Sequence, residues 1–389
     1  MKPVTKITQS EQALRAYCEK TDFSGWDPWD ALGSPLFRIF PFSTRYPRWT
    51  GNHLIKISPL NVRRMMGIRR DCFAKGLALF ISGYVLRNKR KPDPKFNETI
   101  SLLKKRLFDK IIPGYAGPCW GTNLPYQTRA FYVPAQTPSL VHTAFAVEAI
   151  LDLNEMEPSP ELIETVQGAC QFALNDLTIR EFHGGLCFSY TPNDLSRVIN
   201  VTALAARMLA RVGRKVNDES LLEKARGAAA YVISTQEEDG SWPYGEDPVH
   251  NWIDNYHTGF VLESLEDYYR YSDDPVVIPA IEKGLQYYRN QLFEQDGAPK
   301  FSPGSLYPID GHCLAQGILT FSHLHDRTSD GLEFAQKIAH WGIENFQDRS
   351  GYYYFQKRRY WLNKIPHIRW VQAWMFLGLN RLLNHLEDK

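Results

Sequence analysis

Asp254-Asn255-Tyr256-His257-Thr258 sets a carboxylate, a phenol and an imidazole just ahead of an apolar helical run, Phe260, Val261, Leu262 and Leu265. Further along, Asp310-Gly311-His312 repeats the order of Asp before His. Both clusters hold groups that donate, accept or transfer protons at a helix entrance, which is what general acid–base chemistry requires. Each also has a plainer explanation. Asp is a favoured N-cap, and a lone His is often a satisfied core residue.

These clusters belong to a repeat. Four segments share one order: a Gly turn, an aromatic run, a polar loop and a long apolar helix. With Gly185, Gly240, Gly297 and Gly351 as markers, the spacings are 55, 57 and 54 residues. A looser fifth copy begins at GPCWGTNLPYQTRAFYVP. Gly supplies positive φ after a helix end, and the following aromatic packs back over the turn. More charged amphipathic helices alternate with the apolar ones. The pattern predicts an all-α fold, an (α/α) toroid of about six helical hairpins. Its inner ring would hold 141–153, 200–212, 257–269, 312–324 and 369–383. Residues 1–110 fall outside the repeat and read as an irregular, basic and aromatic N-terminal extension packing on a toroid domain of 111–389.

In a toroid the inner-helix entrances line one cleft, so their residues become candidates together. They are Gln136, Ser139 and His142; Asn200 and Thr202; Asp254, Tyr256 and His257; Asp310, His312 and Gln316; and Arg369, Trp370, Gln372 and Trp374. The preceding loops add Tyr126, Arg129, Tyr190, Trp242, Tyr244, Tyr307, Tyr354, Lys357 and Arg358. Aromatic platforms with fixed polar groups suit a sugar-binding cleft.

Charge narrows the partners. The net charge is only +2, yet the stretch from Arg38 to Arg106 holds seventeen Lys or Arg against Asp71, Asp93 and Glu98. That bias reads either as a solvated face or as a surface for an anionic neighbour. Nucleic acid has only this region in its favour and is not expected. Six scattered cysteines without a CxxC pair suggest free thiols in a reducing compartment. No HExxH, Walker A, GxGxxG or GxSxG motif is present, so neither metal nor cofactor is expected. The N-terminus lacks a signal-peptide core, and GLALFISGYVL (76–86) is too short to span a bilayer. The expectation is a cytoplasmic protein in which residues 38–106 touch an anionic membrane at its inner face or an acidic glycan.

Residues 120 to 385 resemble the α/α-toroid superfamily, which includes terpene-cyclase and prenyltransferase-like proteins, unsaturated-uronyl hydrolases, toroid lyases and glucuronyl C5-epimerases. The turn Gln236-Glu237-Glu238-Asp239-Gly240-Ser241-Trp242 is similar to the QW repeats of terpene cyclases. The stretch 254–258 is similar to a Tyr-His-Thr segment of the C5-epimerases, and DPWDALGSPL resembles toroid proteins of bacterial polysaccharide biosynthesis. The DxDD acid of the cyclases and the β-sandwich of the C5-epimerases are both absent. The resemblance implies an enzyme of surface-polysaccharide assembly that acts on a uronic-acid-containing or lipid-linked saccharide, as a C5-epimerase or lyase. Tyr256 and His257 would be the base and its partner, Tyr190 or His312 the opposing acid, and Asp310 would orient His312. Arg369 or Arg129 would hold the carboxylate, with His142, Asn200, Trp242, Tyr244, Asp254, Gln316, Trp370 and Gln372 binding substrate. The alternatives are a non-catalytic saccharide-binding toroid and an isoprenoid-binding protein.

Overall fold

A computed structural model describes residues 3–127 and 132–387. Its helices are α1 (Pro3–Lys20), α2 (Arg45–Ile57), α3 (Ala74–Arg90), α4 (Pro94–Phe108), α5 (Leu140–Met156), α6 (Pro160–Asn175) and α7 (Ile199–Val216). After them come α8 (Glu219–Ser234), α9 (Asn255–Ser272), α10 (Ile278–Gln291), α11 (Gly311–His323), α12 (Gly331–Phe346) and α13 (Ala373–Glu387). The chain is an all-α toroid. Helices α3, α5, α7, α9, α11 and α13 pack side by side into a closed inner ring, with α13 against α3. Helices α4, α6, α8, α10, α12 and α1 form the outer ring.

Apolar pattern separates the two rings. Fourteen of the seventeen residues of α5 are buried, against six of the sixteen of its outer partner α6. A helix that is apolar all round belongs inside, and one with a single apolar stripe belongs at the surface.

The Gly turns hold the rings in register. Gly240, Gly297 and Gly351 take φ of +94°, +94° and +100°, a region where a side chain is strained. Each lies against an outer helix: a Cβ would come within 2.6 Å of Lys283 O on α10, 3.0 Å of Ile338 N on α12 and 2.2 Å of Ala13 O on α1. Gln236 Nε2 donates to Gly240 O and to Ala280 O on α10, both at 3.0 Å. Gln347 Nε2 does the same to Gly351 O and, on α1, to Ser10 O. The first helix of the chain therefore stands where the repeat needs an outer partner for the last. In the earliest turn it is Gly184, not the marker Gly185, that is left-handed, at φ +75°.

One sequence expectation needs correction. The stretch before residue 110 is not wholly outside the repeat, because α3 is the sixth inner helix and α1 and α4 are outer ones. Gly83 of α3 sits so close to α13 that a Cβ would lie 2.6 Å from the Phe376 ring. No Gly-aromatic turn precedes α3, which is why the repeat does not reveal it. The irregular arm is shorter, running between α1 and α3 and carrying α2. It has a small core of Ala31, Leu32, Phe37 and Ile55. The arm is fixed by Arg63, whose Nε donates to both Asp30 oxygens at 2.8 and 2.9 Å with both side chains out of solvent.

Three short sheets lie in the loops. Strands β1 (Tyr126–Gln127) and β2 (Tyr132–Val133) pair, as do β3 (Ile179–Phe182) and β4 (Gly185–Phe188). Strands β5 (Ile309–Asp310), β6 (Gln356–Lys357) and β7 (Leu362–Asn363) form an antiparallel sheet beside the start of α11. Toward the C-terminal ends of the inner helices, ion pairs tie the ring together. Arg207 bridges Glu148 and Asp267, Arg211 reaches Asp152, and Arg381 reaches Glu263.

Replacing Asp30 by Ala leaves the Arg63 guanidinium buried without its carboxylate. Breaking such a pair typically costs about 3–5 kcal/mol. Urea unfolding of Asp30→Ala should show a loss of that order, and a loss under about 1 kcal/mol would mean that Arg63 finds water.

Candidate active site

The entrances of the inner helices open into a cavity of about 620 Å³. Val141 and His142 of α5, Asn200 of α7, Tyr256, His257 and Phe260 of α9, and His312 of α11 form its wall. The arm adds Asp27, Trp29, Trp49 and Lys56, and α3 adds Lys75. Loops supply Tyr126, Tyr190, Tyr244, Trp252, Phe301 and Arg358. The cavity is thus a polar-edged box with aromatic sides, the form expected of a small-molecule site.

A local rule places two of the histidines. Ser139 is the N-cap of α5, and its Oγ lies 2.7 Å from His142 Nδ1 three residues on. Asp254 is the N-cap of α9. Its Oδ1 accepts from His257 N at 3.0 Å, and its Oδ2 lies 2.7 Å from His257 Nδ1 and 3.0 Å from Trp252 Nε1. The N3 side chain reaches back to its own cap, as in a capping box. A carboxylate only accepts, so Nδ1 of His257 carries the proton and Nε2 remains as the basic nitrogen. Asp254 is buried while His257 lines the cavity, so the imidazole stands at the cavity wall with a carboxyl group behind it.

His312 is held differently. Its ring lies between Tyr256 (centroids 4.6 Å apart, 17° between planes) and Trp374 (4.7 Å, 30°), with Trp370 edge-on at 4.8 Å. Among the described residues neither ring nitrogen has a hydrogen-bond partner. Burial holds its pKa well below the ordinary histidine value, so the ring is neutral. His142 is held down for the same reason. Tyr256 stands between the two imidazoles, 4.2 Å from the His257 ring. Burial and the neighbouring Asp254 push its phenol well above 10, so it keeps its proton. Burial likewise raises Tyr190, to about 12.

Two lysines complete the wall. Lys75 Nζ lies over the rings of Phe145, Phe260 and Trp374 at 5.1, 5.5 and 5.3 Å. Among the described residues no carboxylate pairs with it. Burial drives its pKa well down, with Arg369 adding to the effect. Lys56 Nζ lies 3.9 Å from the Trp29 ring centroid, and burial pushes its pKa down to about 8 against the attraction of Asp310 and Asp27.

The structure brings together most of the residues expected from sequence and reassigns several. Tyr190, Tyr244, Tyr256, His142, Asn200, His257, His312, Arg369 and Trp370 line the cavity. Asp310 does not orient the His312 ring. Its oxygens take His312 N (2.9 Å), Trp370 Nε1 (3.2 Å) and Gln356 Nε2 (3.0 Å), so it caps α11 and steadies Trp370. Arg369 is not free for a substrate carboxylate, because Asp27 already takes its Nε and one terminal nitrogen at 2.7 and 2.8 Å. Trp242 is buried and donates to Val232 O, packing the Gly turn. Gln316 is buried with Glu263 and Thr320, and Gln372 clamps the Tyr353 backbone. None of these three lines the cavity: Trp242 lies in the Gly turn, and Gln316 and Gln372 are buried behind the wall. Arg129 lies outside the described residues.

Sequence reasoning missed Asp27, Trp29, Lys56 and Lys75, all from the region taken as an appendage. Lys75 did carry a signal, as a charge at the head of the most apolar run in the chain. Among the described residues no group of three or more His, Cys, Asp or Glu side chains is placed to hold a metal ion.

No family model matches the sequence, and no curated protein matches it. Solved structures do. The chain is similar to cellobiose 2-epimerase from Bacillus thermoamylovorans, with a TM-score of 0.66 at 10% identity over 83% of this chain and 90% of that one. It is also similar to an unsaturated glucuronyl hydrolase specific for heparin (TM-score 0.64, 9% identity, 100% and 98% covered). A D-mannose isomerase aligns with a TM-score of 0.62 at 12% identity, over 81% and 87% of the two chains. At such identities the likeness shows the shared toroid fold.

Because His312 is buried neutral, it should resist protonation while an ordinary histidine titrates near 6.5. Nitrogen-15 NMR between pH 8 and 5 should find its two ring nitrogens still distinct, one protonated and one not. An imidazolium signal for His312 at pH 6 would overturn this placement.

Proposed function

We propose that this chain is a sugar-modifying enzyme that moves the proton at C5 of a uronic-acid unit, by epimerisation or by β-elimination. The observation that carries the reading is that one aromatic cavity holds both the Asp254–His257 pair and a buried lysine amine without a carboxylate partner among the described residues. The Asp254–His257 dyad would supply the base, and Lys75 an amine with no carboxylate partner among the described residues, whose lowered pKa a bound carboxylate would raise again. Asp27 neutralises Arg369, and Asp254 and Asp310 stand behind the wall. Lys75, Lys56 and Arg358 are left to make the cleft attractive to an anion. The fold neighbours point the same way in part: they are named for cellobiose, mannose and heparin-specific glucuronyl chemistry.

Removing the proton α to a carboxylate builds negative charge on that carboxylate, which a fixed cation in a water-poor site stabilises. Lys75, held protonated by the incoming carboxylate, would take this role. His257 Nε2 would accept the C5 proton, its imidazolium steadied by Asp254. Tyr256, which keeps its phenol proton, serves as the acid rather than the base. It returns a proton to the opposite face of C5, or to the departing oxygen in elimination. His312, with two unengaged nitrogens, would hydrogen-bond the sugar. Trp29, Trp49 and Trp370 offer faces to the apolar side of a pyranose.

Incubation of uronic-acid oligosaccharides in D₂O, followed by proton NMR, reads exchange at C5 directly. His257→Asn should slow exchange by a factor of about 10²–10⁴ at unchanged melting temperature. Lys75→Met should weaken binding of a uronide but not of its neutral hexose counterpart. No exchange by the wild type across several uronides would leave a saccharide-binding cavity without this chemistry.

The pH dependence follows from Lys56. Its folded pKa of about 8 means that the cleft loses a positive charge as the pH rises through 8. Uronide affinity measured by calorimetry should therefore fall between pH 7 and 9, and Lys56→Met should flatten that fall. An equal fall in the variant would assign the effect elsewhere.

A further inference from the structure

Of the sixteen large apolar side chains exposed among the described residues, nine lie between residues 36 and 65 and two more at 360 and 361. Scattered exposed apolar residues are ordinary, but a cluster is not. The most open are Met65 at 89%, Tyr360 at 81%, Phe40 at 79%, Tyr46 at 75%, Leu60 at 71% and Leu54 at 63%. They form one neighbourhood. Phe37 packs on Gly51 of α2, where a Cβ would come within 2.3 Å of its ring. Trp361 Nε1 donates to Ile57 O, and Asn363 Nδ2 donates to Ser58 O at 2.8 Å. The arm and the β6–β7 hairpin therefore share a surface.

The charge on that surface has one sign. Between Asp30 and Asp71 the chain has no Asp or Glu and eight Lys or Arg. Arg63 is consumed by Asp30, and Lys56 faces the cavity. Arg38, Arg45, Arg64 and Arg69 are exposed, as is Arg359 beside Tyr360. The patch borders the cavity mouth, since Trp49 is both 41% exposed and part of the cavity wall.

We propose that this surface, α2 with its flanking turns and the tip of the β6–β7 hairpin, docks the protein onto an anionic lipid bilayer. Aromatic and aliphatic side chains interleaved with Arg are the composition that sits at the headgroup level, the rings and chains entering the acyl boundary and the cations meeting lipid charge. A second copy of the chain fits poorly, because a two-fold interface sets the patch against itself and so Arg against Arg. A soluble polyanion would use the cations but leave Phe40, Leu60 and Met65 in water. Among the described residues no helix is long and apolar enough to cross a membrane, so the contact is peripheral. Docking turns the cavity mouth toward the lipid headgroups. The proposal does not depend on the reaction assigned to the cavity.

Full-length protein sedimented with vesicles of phosphatidylcholine, with and without phosphatidylglycerol, tests it. Binding is expected only to the anionic vesicles at about 0.05 M salt, and should fall steeply by about 0.5 M. The combined change Phe40→Ser, Leu60→Ser and Met65→Ser should cut partitioning about tenfold or more at unchanged melting temperature. The combined change Arg38→Gln, Arg64→Gln and Arg69→Gln should weaken low-salt binding and flatten its salt dependence. If either variant fails to fold, wild-type partitioning between the two vesicle types still decides. Three results would overturn the proposal: no sedimentation with either vesicle, binding to soluble polygalacturonate in place of vesicles, or a solution dimer that the Ser substitutions dissolve.

Discussion

The ion pair between Asp27 and Arg369 joins the two ends of the chain where both the ring and the site are completed. Arg369 lies in the π-helical turn Ile368–Gln372 that leads into α13, and Asp27 lies in the arm between α1 and α3. Two nitrogens of the guanidinium meet two oxygens of the carboxylate, with Asp27 almost wholly out of solvent. Such a bidentate contact fixes orientation as well as distance. It seats the arm over the cavity, because the adjoining residues Trp29 and Asp30 then form, respectively, the wall and the socket for Arg63. Loss of either partner would strand a charge against the other and free the arm.

The same pair sets the electrostatics of the cavity. With Arg369 matched, the basic side chains of the cavity without a carboxylate partner among the described residues are Lys56, Lys75 and Arg358, and the two lysine amines lie against aromatic rings. Arg would stay charged in any such place, whereas a desolvated Lys gives up its proton readily. His142 and His312 are kept neutral by burial, and Tyr256 and Tyr190 are kept protonated by burial. Of His142, His257 and His312, only His257 has a carboxylate at hydrogen-bonding distance of its ring, so these imidazoles differ by environment rather than by residue type.

The toroid was legible in sequence because its repeat is a backbone requirement. Gly240, Gly297 and Gly351 must turn with positive φ while touching the next outer helix, and few residues other than Gly do both. Five inner helices were readable from their apolar runs for the same reason. The sixth, α3, was hidden because its neighbours in sequence lack that turn, although Gly83 lies against Phe376 of α13 and Gly76 against Arg369 in the turn before it. Within the site, the residues of the first helical turn were found, and those one turn deeper were misplaced. Gln316 and Gln372 have the same chemistry as a cleft residue, but a single turn carries them behind the wall.

The polar load at the start of α9 has a double cause. A helix entrance leaves backbone N–H groups that a cap must satisfy, and the residue at N3 is the one positioned to reach back to that cap. At α5 the cap is Ser139, so His142 pairs with a hydroxyl and is a plain neutral imidazole. At α11 Asp310 spends its oxygens on His312 N, Trp370 and Gln356, and the His312 ring is left to its aromatic neighbours. At α9 the cap is Asp254, with one oxygen for the backbone and one for the ring. All three entrances are capped by a side chain, but His142 and His257 stand at N3, where the ring reaches back to its cap, whereas His312 stands at N2 and does not. The surroundings of each of these histidines are therefore set by how its helix begins.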